Sequence, residues 1–460
     1  MPHALLATPS EASLPIWLVT ESTWGSISSQ LPKVAQGFAK AQGFEGKAGS
    51  HCLLPDENGN LFGIAFGLAG EDAKQRDPFA IGKLATVLPD GVYRFENDAP
   101  DATLATLAWI LGSYGFTRYR KRSEKSVRLV TPKGVDAKEV TRIANAVFRS
   151  RDLINTPTSD LGPDGIEAAA REIADTHGAK FTSIVGDDLL DRNFPMIHAV
   201  GRASAIAPRL IDFTWGDENA PRITLVGKGV AFDTGGLDIK PPSSMLMMRK
   251  DMGGAAATLA LADMIMGAKL PVRLRVLIPA VENSISSNAF RPGDILNSRK
   301  GITVEIGNTD AEGRLILADA LALADEEKPD LIVDFATLTG AARTALGPEL
   351  PPFYTDDDEL ALDIARTGLE VNDPVWRMPL WAPYMSQLDS KYADMNNTGG
   401  PMAGSITAAL FLRRFVSDAK AHVHFDIFAW NPSTRPGRPE GAEVQAARLM
   451  YALLKKRYAS

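Results

Sequence analysis

The chain has 460 residues, of which 45% are hydrophobic and 23% are charged, a composition usual for a globular protein of two or three domains. Its 56 acidic and 49 basic side chains give a formal net charge of -7. This balance disfavours nucleic acid or an anionic membrane as the main partner, because both attract a basic surface. The single cysteine, Cys52, excludes an intrachain disulfide framework, and we predict that it is a small buried residue.

The first ten residues, Met1 to Ser10, contain neither a basic segment nor an apolar stretch of signal-peptide length. An uncharged apolar run of about 18 residues, the length that crosses a membrane as a helix, is also absent from the sequence. We therefore expect a cytoplasmic protein that does not associate with membranes.

Residues 1–135 are predicted to form a small α/β domain. Short apolar stretches at Ile16–Thr20 and Leu61–Leu68 suit strands, and Ala102–Gly112 suits a helix. The basic run from Arg118 to Arg122 could bind nucleic acid, but Glu124 follows it closely and a run this short is usually a solvated surface. We therefore expect no nucleic-acid site here.

A linker helix is predicted over residues 136–153, and it ends before Pro157 because proline disfavours helix in the residue that precedes it. Residues 154–460 are then predicted to form a larger α/β domain, with a mixed, largely parallel sheet flanked by helices. The predicted strands are Phe181–Val185, Arg209–Phe213, Arg222–Val226, Val272–Pro279, Thr303–Ile306, Leu331–Ala336 and His422–Ala429.

Polar residues gather where these strands end, which is where α/β sheets bind ligands. Lys228, Asp233 and Lys240 are predicted to lie in the loop after the strand at 222–226, and Asp251 precedes a helix. A further strand is followed by Asn308-Thr-Asp-Ala-Glu-Gly-Arg-Leu315, which opens another helix.

Four of these residues are carboxylates in apolar, glycine-rich surroundings: Asp233, Asp251, Asp310 and Glu312. Carboxylates are costly to bury unpaired, and oxygen-rich ligation suits a pair of Mg, Mn or Zn ions. An ammonium beside such ions is repelled. We therefore expect a lowered pKa for Lys228, whose neutral amine could then bind metal.

Each element of this pattern also has a purely structural interpretation. Thr309 and Glu312 match a helix capping box, and Asp251 could cap a helix N-terminus. Gly235-Gly236 could serve only a tight turn. A phosphate-binding P-loop is excluded because its glycine and hydroxyl spacing is absent around Lys228.

Two segments together resemble the signatures of the M17 leucine aminopeptidase (cytosol aminopeptidase) family: Val226-Gly-Lys-Gly-Val-Ala-Phe-Asp-Thr-Gly-Gly-Leu-Asp-Ile-Lys240 and Asn308-Thr-Asp-Ala-Glu-Gly-Arg-Leu315. Further stretches agree, among them Asp251-Met-Gly-Gly-Ala-Ala, Arg291-Pro-Gly-Asp-Ile and Asp334-Phe-Ala-Thr-Leu-Thr-Gly-Ala. The resemblance extends over about residues 145–430.

The resemblance implies two divalent metal ions, Mn or Zn in kind. One site is made by Lys228, Asp233, Asp251 and Glu312. The other is made by Asp233, Asp310 and Glu312, with the backbone carbonyl of Asp310 as a further ligand. Such ions bind the free α-amine of a peptide and polarise its scissile carbonyl, so the implied activity is that of an exopeptidase.

Two cations outside the ligand set have implied catalytic roles. Lys240 resembles the family lysine that stabilises charge on the carbonyl oxygen. Arg314 resembles the arginine that holds a bicarbonate ion, the general base that takes a proton from water. The alternatives are a surface lysine and an arginine in a helix-surface ion pair.

Met248, Thr337 and Gly340 match positions that line the family's side-chain pocket, which implies a preference for apolar N-terminal residues such as Leu or Met. His422, His424 and Asp426 share a strand face and could bind a metal, but we interpret them as structural. Near the C-terminus, Pro432–Pro439 and the residues that follow depart from the family pattern, so the pocket could differ on that side.

The implied protein is a homohexamer of two trimers that acts on peptides. Three other functions remain open on sequence: a dipeptidase for substrates such as Cys-Gly on the same site, a secondary DNA-binding role, and an inactive scaffold without metal. The acidic charge disfavours the second, and the intact set of ligand positions disfavours the third.

Overall fold

A computed structural model describes residues 3–70, 76–121 and 125–459. It separates into two compact units, residues 1–148 with 433–440 and residues 149–432 with 441–460. Arg122 and Glu124 of the basic run lie outside the described residues, as do Met1 and Pro2 of the N-terminal segment. Within the described part of the chain, no helix has the length and apolar character needed to cross a membrane.

The first unit contains a six-stranded sheet in the order β1-β6-β5-β2-β4-β3, parallel except for the pair β3 and β4. Its strands are β1 Leu6–Ala7, β2 Leu14–Val19, β3 His51–Pro55, β4 Leu61–Gly67, β5 Gly91–Phe95 and β6 Val127–Val130. Its helices are α1 Trp24–Ser28, α2 Lys33–Ala41, α3 Leu84–Val87, α4 Ala102–Gly112 and the first part of α5 Ala137–Asn155, with a 3-10 helix at Ala80–Lys83. Cys52 is a free, buried residue of the core, as predicted.

The second unit is built on a nine-stranded sheet in the order β16-β15-β18-β14-β9-β11-β8-β7, with β10 also paired to β11. Its strands are β7 Lys180–Val185, β8 Arg209–Trp215, β9 Arg222–Gly227, β10 Gly229–Asp233, β11 Arg273–Asn283, β14 Leu331–Ala336, β15 Pro352–Tyr354, β16 Trp376–Arg377 and β18 His422–Asp426. Smaller sheets contain β12 Ile295–Asn297, β13 Thr303–Glu305, β17 Met395–Asn396, β19 Trp430–Asn431 and β20 Gly441–Ala442. The central strands β18, β14, β9 and β11 are parallel.

Helices cover both faces of this sheet. The helices of this unit are α6 Pro163–His177, α7 Asp188–Asp191, α8 Pro195–Gly201, α9 Pro242–Met245, α10 Gly253–Ala268, α11 Gly313–Glu326, α12 Gly340–Leu346, α13 Asp358–Glu370, α14 Gly404–Arg413 and α15 Ala447–Tyr458, with 3-10 helices at Met248–Met252 and Ala382–Leu388. Val226 packs into the core formed by α8, α11 and α14. A Cβ on the next residue, Gly227, would point at Thr258 of α10, so α10 lies on the opposite face because side chains alternate along a strand.

The prediction of a smaller N-terminal α/β domain and a larger domain with a mixed, largely parallel sheet is confirmed. Strand β14 and helix α4 have the predicted bounds. The central strands are recognisable because their apolar runs are buried on both faces. The short strands β15 and β16 at one side of the sheet were not predicted, since two or three residues carry no periodicity.

Candidate metal centre

Lys228 lies between two collinear strands rather than in a loop, so that part of the sequence prediction is wrong. Strands β9 and β10 both pair with β11, through Val226 with Leu277 and Gly229 with Ala280. The continued pairing with β11 holds residues 229–233 extended, although the glycines suggested a loop. The pairing of β9 with β14 ends at this point, where the Lys228 backbone N–H donates a last hydrogen bond to the Phe335 carbonyl at 3.0 Å.

The turn after β10 brings Lys240 back to the end of that strand. Gly235 and Gly236 have φ values of 88° and 66°, a conformation that side chains other than glycine rarely adopt. A Cβ on Gly235 would lie 2.5 Å from the Asp238 carbonyl oxygen. The turn therefore requires glycine at these positions, and it also places Lys240 beside the carboxylates.

The capping interpretations of the carboxylates are wrong. The Thr309 hydroxyl donates to the Gly235 carbonyl at 2.6 Å, and Glu312 makes no side-chain cap at the start of α11. The residue before α10 is Met252, again without a side-chain cap. Asp251 instead accepts a hydrogen bond from the Thr337 hydroxyl at 2.9 Å. Neither Glu312 nor Asp251 therefore caps the N-terminus of a helix.

Three of the predicted metal ligands converge. One carboxylate oxygen from each of Asp233, Asp310 and Glu312 lies within 4.8 Å of the other two. Asp251 joins them through Lys228, whose Nζ is 2.7 Å from Asp251 Oδ2 and 2.9 Å from Glu312 Oε1. All five predicted ligands therefore belong to one cluster, and all except Asp310 are at least nine-tenths buried.

Lys240 is the second basic residue of the cluster. Its Nζ lies 2.9 Å from Asp233 Oδ2 and also forms an ion pair with Asp310. Its side chain is only 12% exposed, so the alternative of a surface lysine is wrong. In the protein alone, two ammonium groups thus face four carboxylates.

The electrostatics of the cluster favour added positive charge. Burial, followed by the neighbouring carboxylate of Asp233, raises the pKa of Glu312 to about 8 and that of Asp310 to about 6. A raised pKa means that the negative form is disfavoured where it lies. Divalent cations prefer oxygen ligands and would relieve this repulsion, so the residues present fit a metal centre.

The pKa of Lys228 departs from the sequence expectation. Burial lowers it, but the carboxylates of Asp251, Glu312 and Asp233 outweigh burial, and the pKa lies above its usual range. The reason is that the Lys228 ammonium is itself the counter-charge to these carboxylates. Divalent cations bound to these carboxylates would take over that role. The pKa of Lys228 would be lowered only with such cations bound.

Asn283 is a functional candidate to which the sequence analysis assigned no role, although the dipeptide Glu282-Asn also matches the family pattern. Its Nδ2 donates to Asp233 Oδ1 at 2.8 Å and to the Thr309 carbonyl at 3.1 Å, and the residue is fully buried. It therefore fixes the orientation of Asp233. In the sequence, its position in that dipeptide was the only sign of a functional role; Asn283 is the last residue of β11.

Arg314 lies in the first turn of α11 and is 7% exposed. Its Nη1 donates to the Asn397 carbonyl at 2.7 Å, and burial lowers the pKa of the guanidinium to about 10. It makes no ion pair with the described residues, so the alternative of a helix-surface ion pair is wrong. A buried guanidinium without a carboxylate partner is suited to holding a planar anion.

A cavity of about 420 Å³ opens over the cluster. It is lined by the predicted catalytic residues Lys240 and Arg314 and by the predicted pocket residues Met248, Thr337 and Gly340. All of the predicted site residues except Glu312 contribute to its wall. Glu312 lies beneath the wall, since it is 1% exposed.

The same cavity contains residues that were not predicted. Lys250 lies beside Asp251 and is 4% exposed, and burial lowers the pKa of its ammonium to about 8. Its Nζ lies 4.8 Å from the centre of the Phe428 ring. Gln445, in the segment that departs from the family pattern, accepts hydrogen bonds from the backbone N–H groups of Phe428 and Ala429 at 2.9 and 3.1 Å. Gln445 thus holds the backbone of Phe428, which lines one wall of the cavity.

The structural interpretation of His422, His424 and Asp426 agrees with their contacts. His422 Nε2 and His424 Nδ1 lie 2.7 and 2.6 Å from the two oxygens of the buried Asp334. Asp426 accepts hydrogen bonds from the backbone N–H groups of Leu338 and Thr339. These residues fasten β18 to β14 and to the start of α12.

Comparisons with known proteins agree with this geometry. The model of the cytosol aminopeptidase family, catalytic domain, matches residues 148–451, and that of the M17 aminopeptidase N-terminal domain matches residues 10–132. A protein of Syntrophotalea carbinolica named "Probable cytosol aminopeptidase" is 40% identical over 364 residues, which are 75% of this chain and 73% of its own.

Solved structures resemble the chain over nearly its whole length. The crystal structure of a cytosol aminopeptidase from Coxiella burnetii has a TM-score of 0.94 and 46% identity, covering 99% of this chain and 100% of that one. The bottromycin maturation enzyme BotP in complex with Mn has a TM-score of 0.87 and 31% identity, covering 97% and 100%.

Proposed function

The chain belongs to the cytosol aminopeptidase family, M17, a family of metallo-exopeptidases that act on peptide N-termini, and we propose that it preferentially removes apolar residues such as Leu or Met. The observation that carries this proposal is the convergence of Asp233, Asp310 and Glu312 beneath a cavity lined by Met248 and Thr337. The flexible thioether side chain of Met248 makes an adaptable apolar wall for the substrate side chain.

Two divalent ions, Mn or Zn, would bind the substrate's free α-amine and polarise its scissile carbonyl. Lys228, Asp233, Asp251 and Glu312 would hold one ion. Asp233, Asp310 and Glu312 would hold the other, together with the Asp310 backbone carbonyl. Asp233 and Glu312 would serve both sites, and their burial at the centre of the cluster supports this role.

Lys240 stabilises the negative charge that develops on the carbonyl oxygen. Its pKa supports a cationic form, because the carboxylates of Asp233, Glu312 and Asp310 outweigh the lowering by burial and raise it. Arg314 would hold bicarbonate, which would supply the general base for the attacking water. The Asn397 carbonyl engages one guanidinium nitrogen at 2.7 Å and leaves the others to the anion.

A panel of aminoacyl p-nitroanilides with the Mn- or Zn-loaded protein tests the substrate preference. We expect the highest kcat/KM for Leu and Met, lower values for Gly and Pro, and an increase on adding bicarbonate. Cys-Gly and Leu-Gly are assayed in parallel, because a dipeptidase would cleave Cys-Gly far better than any nitroanilide. That outcome, or no hydrolysis of Leu-p-nitroanilide, contradicts the proposal.

For the whole molecule we propose a homohexamer in the cytoplasm, with residues 1–135 as the N-terminal domain, 136–153 as the linker helix and 154–460 as the catalytic domain. Light scattering should give six times the chain mass of 49.4 kDa, and a monomer would contradict it. Gel-shift assays at physiological salt should show no DNA binding, since the chain carries a net charge of -7.

A further inference from the structure

The basic side chains that line the cavity differ in whether they have partners. They are Lys228, Lys240, Lys250, Arg314 and Arg343. The first two pair with the carboxylate cluster, and Arg314 donates to a backbone carbonyl. Among the described residues, Lys250 and Arg343 make no ion pair and no side-chain hydrogen bond. Two positive charges of the cavity are therefore unassigned.

Lys250 is the more unusual of the two because it is only 4% exposed. Lysine is almost never buried to this extent without a partner, since removing an ammonium from water is costly. Its surroundings offer the charge of the adjacent Asp251 carboxylate, which already pairs with Lys228, and the ring of Phe428, 4.8 Å from Nζ. A ring face compensates only part of the lost hydration.

Arg343 approaches the same ring from α12. Its guanidinium carbon lies 4.7 Å from the centre of the Phe428 ring, and its charge acts on Lys250. Like charges repel each other, and an anion that contacts both cations would make the interaction favourable. The backbone N–H of Phe428 is held by Gln445, whose Nε2 in turn donates to the Pro348 carbonyl at 2.9 Å. The ring is thus a fixed part of the wall.

Both cations lie next to the proposed substrate pocket along the chain. Lys250 is two residues after Met248 on the same 3-10 helix, and Arg343 is three residues after Gly340 in α12. We propose that Lys250 and Arg343, together with Phe428, form a subsite for a substrate carboxylate, and that this carboxylate is the side chain of an N-terminal Glu or Asp. This inference rests on the proposed aminopeptidase function and extends its substrate range beyond apolar residues.

A carboxylate can also reach the cavity as the C-terminus of a dipeptide. The side-chain source is favoured because Met248 and Gly340, the neighbours of the two cations, are the residues assigned to the first side chain. The two sources share one chemistry, and they are separable because nitroanilides lack the C-terminal carboxylate.

The test compares kcat/KM for Glu-p-nitroanilide and Gln-p-nitroanilide, which differ in charge but hardly in shape. The metal-loaded wild type should prefer Glu by about tenfold or more, the size of a charge-assisted hydrogen bond. Lys250→Met and Arg343→Gln should each bring this ratio towards one. Because the quantity is a ratio, a general loss of activity in a variant cancels.

Arg249→Gln is the matched control. Arg249 is adjacent in sequence, but its guanidinium lies over Trp430 at 5.5 Å and does not line the cavity, so the Glu to Gln ratio should stay at the wild-type value. Arg343 is exposed, and its variant keeps the test usable if Lys250→Met does not fold.

Leu-Gly and Leu-Gly-amide form the second arm. The assignment to the N-terminal side chain would be overturned if the wild type preferred Leu-Gly over Leu-Gly-amide, both variants lost that preference, and their Glu to Gln ratio stayed unchanged. Ratios unchanged in both arms would overturn the subsite altogether. Either result with normal hydrolysis of Leu-p-nitroanilide leaves the aminopeptidase function standing, whereas absence of that hydrolysis in the wild type contradicts the function itself.

Discussion

At the scale of single residues, opposite charges in the cluster are matched unevenly. Four carboxylates face two ammonium groups, and the pKa of Glu312 is raised to about 8 because burial and Asp233 disfavour its charge. Lys228 and Lys240 occupy different places: Lys228 joins Asp251 to Glu312, and Lys240 joins Asp233 to Asp310. The two lysines are therefore not interchangeable.

Lys240→Met should lower kcat for Leu-p-nitroanilide about 100- to 1,000-fold, because the positive charge near the carbonyl oxygen is lost while the side-chain length is kept. Metal content, measured on the same sample, should remain near that of the wild type. Lys180→Met is the control, since that side chain is 85% exposed and lies on the edge strand β7. A kcat for Lys240→Met within about threefold of the wild type would remove Lys240 from the mechanism.

At the scale of elements, the cluster depends on how closely α10 approaches β14. A Cβ on Gly254 would lie 2.2 Å from the Phe335 carbonyl oxygen, so only glycine permits this packing. The same approach places Asp251, just before α10, beside Thr337 at the end of β14. The close approach of α10 to β14 thus sets the position of Asp251, one of the predicted metal ligands.

Gly254→Ala should destabilise the protein by about 3 kcal/mol, because a backbone oxygen cannot move aside as a side chain can. Calorimetric unfolding of the metal-free chain measures this. Gly37→Ala in α2, where a Cβ would meet nothing within 4 Å, should be neutral or slightly stabilising. Equal effects of the two substitutions would contradict the packing.

The link between β18 and β14 should depend on pH. Burial lowers the pKa of His424, but the Asp334 carboxylate outweighs burial, so the pKa is raised above the ordinary value of 6.5. A raised pKa in the folded state stabilises the fold below about pH 6.5, and this stabilisation is lost as the pH rises through the folded value. The difference in unfolding free energy between wild type and His424→Gln should therefore shrink from pH 6 to pH 9, and a constant difference would refute the linkage.

At the scale of the whole molecule, long apolar runs and the signatures around Lys228 and Asp310 allowed the sequence to predict the sheet, its helices and the residues of the cluster. Two features could not be predicted. Strand β10 exists because β11 continues beside it, which glycine-rich residues 227–236 do not reveal. Lys250 and Arg343 both contact the ring of Phe428, although the three residues lie far apart in the sequence. A local sequence pattern cannot predict such a contact.

The central claim is that five residues of this cluster hold two divalent ions that activity requires, and metal analysis with recovery of activity tests it most directly. Chelated wild-type protein should be inactive on Leu-p-nitroanilide and should regain activity as about two Mn²⁺ or Zn²⁺ ions bind per chain. Asp310→Ala should bind about one ion fewer and remain inactive. Full activity of the chelated wild type or of Asp310→Ala would contradict the account.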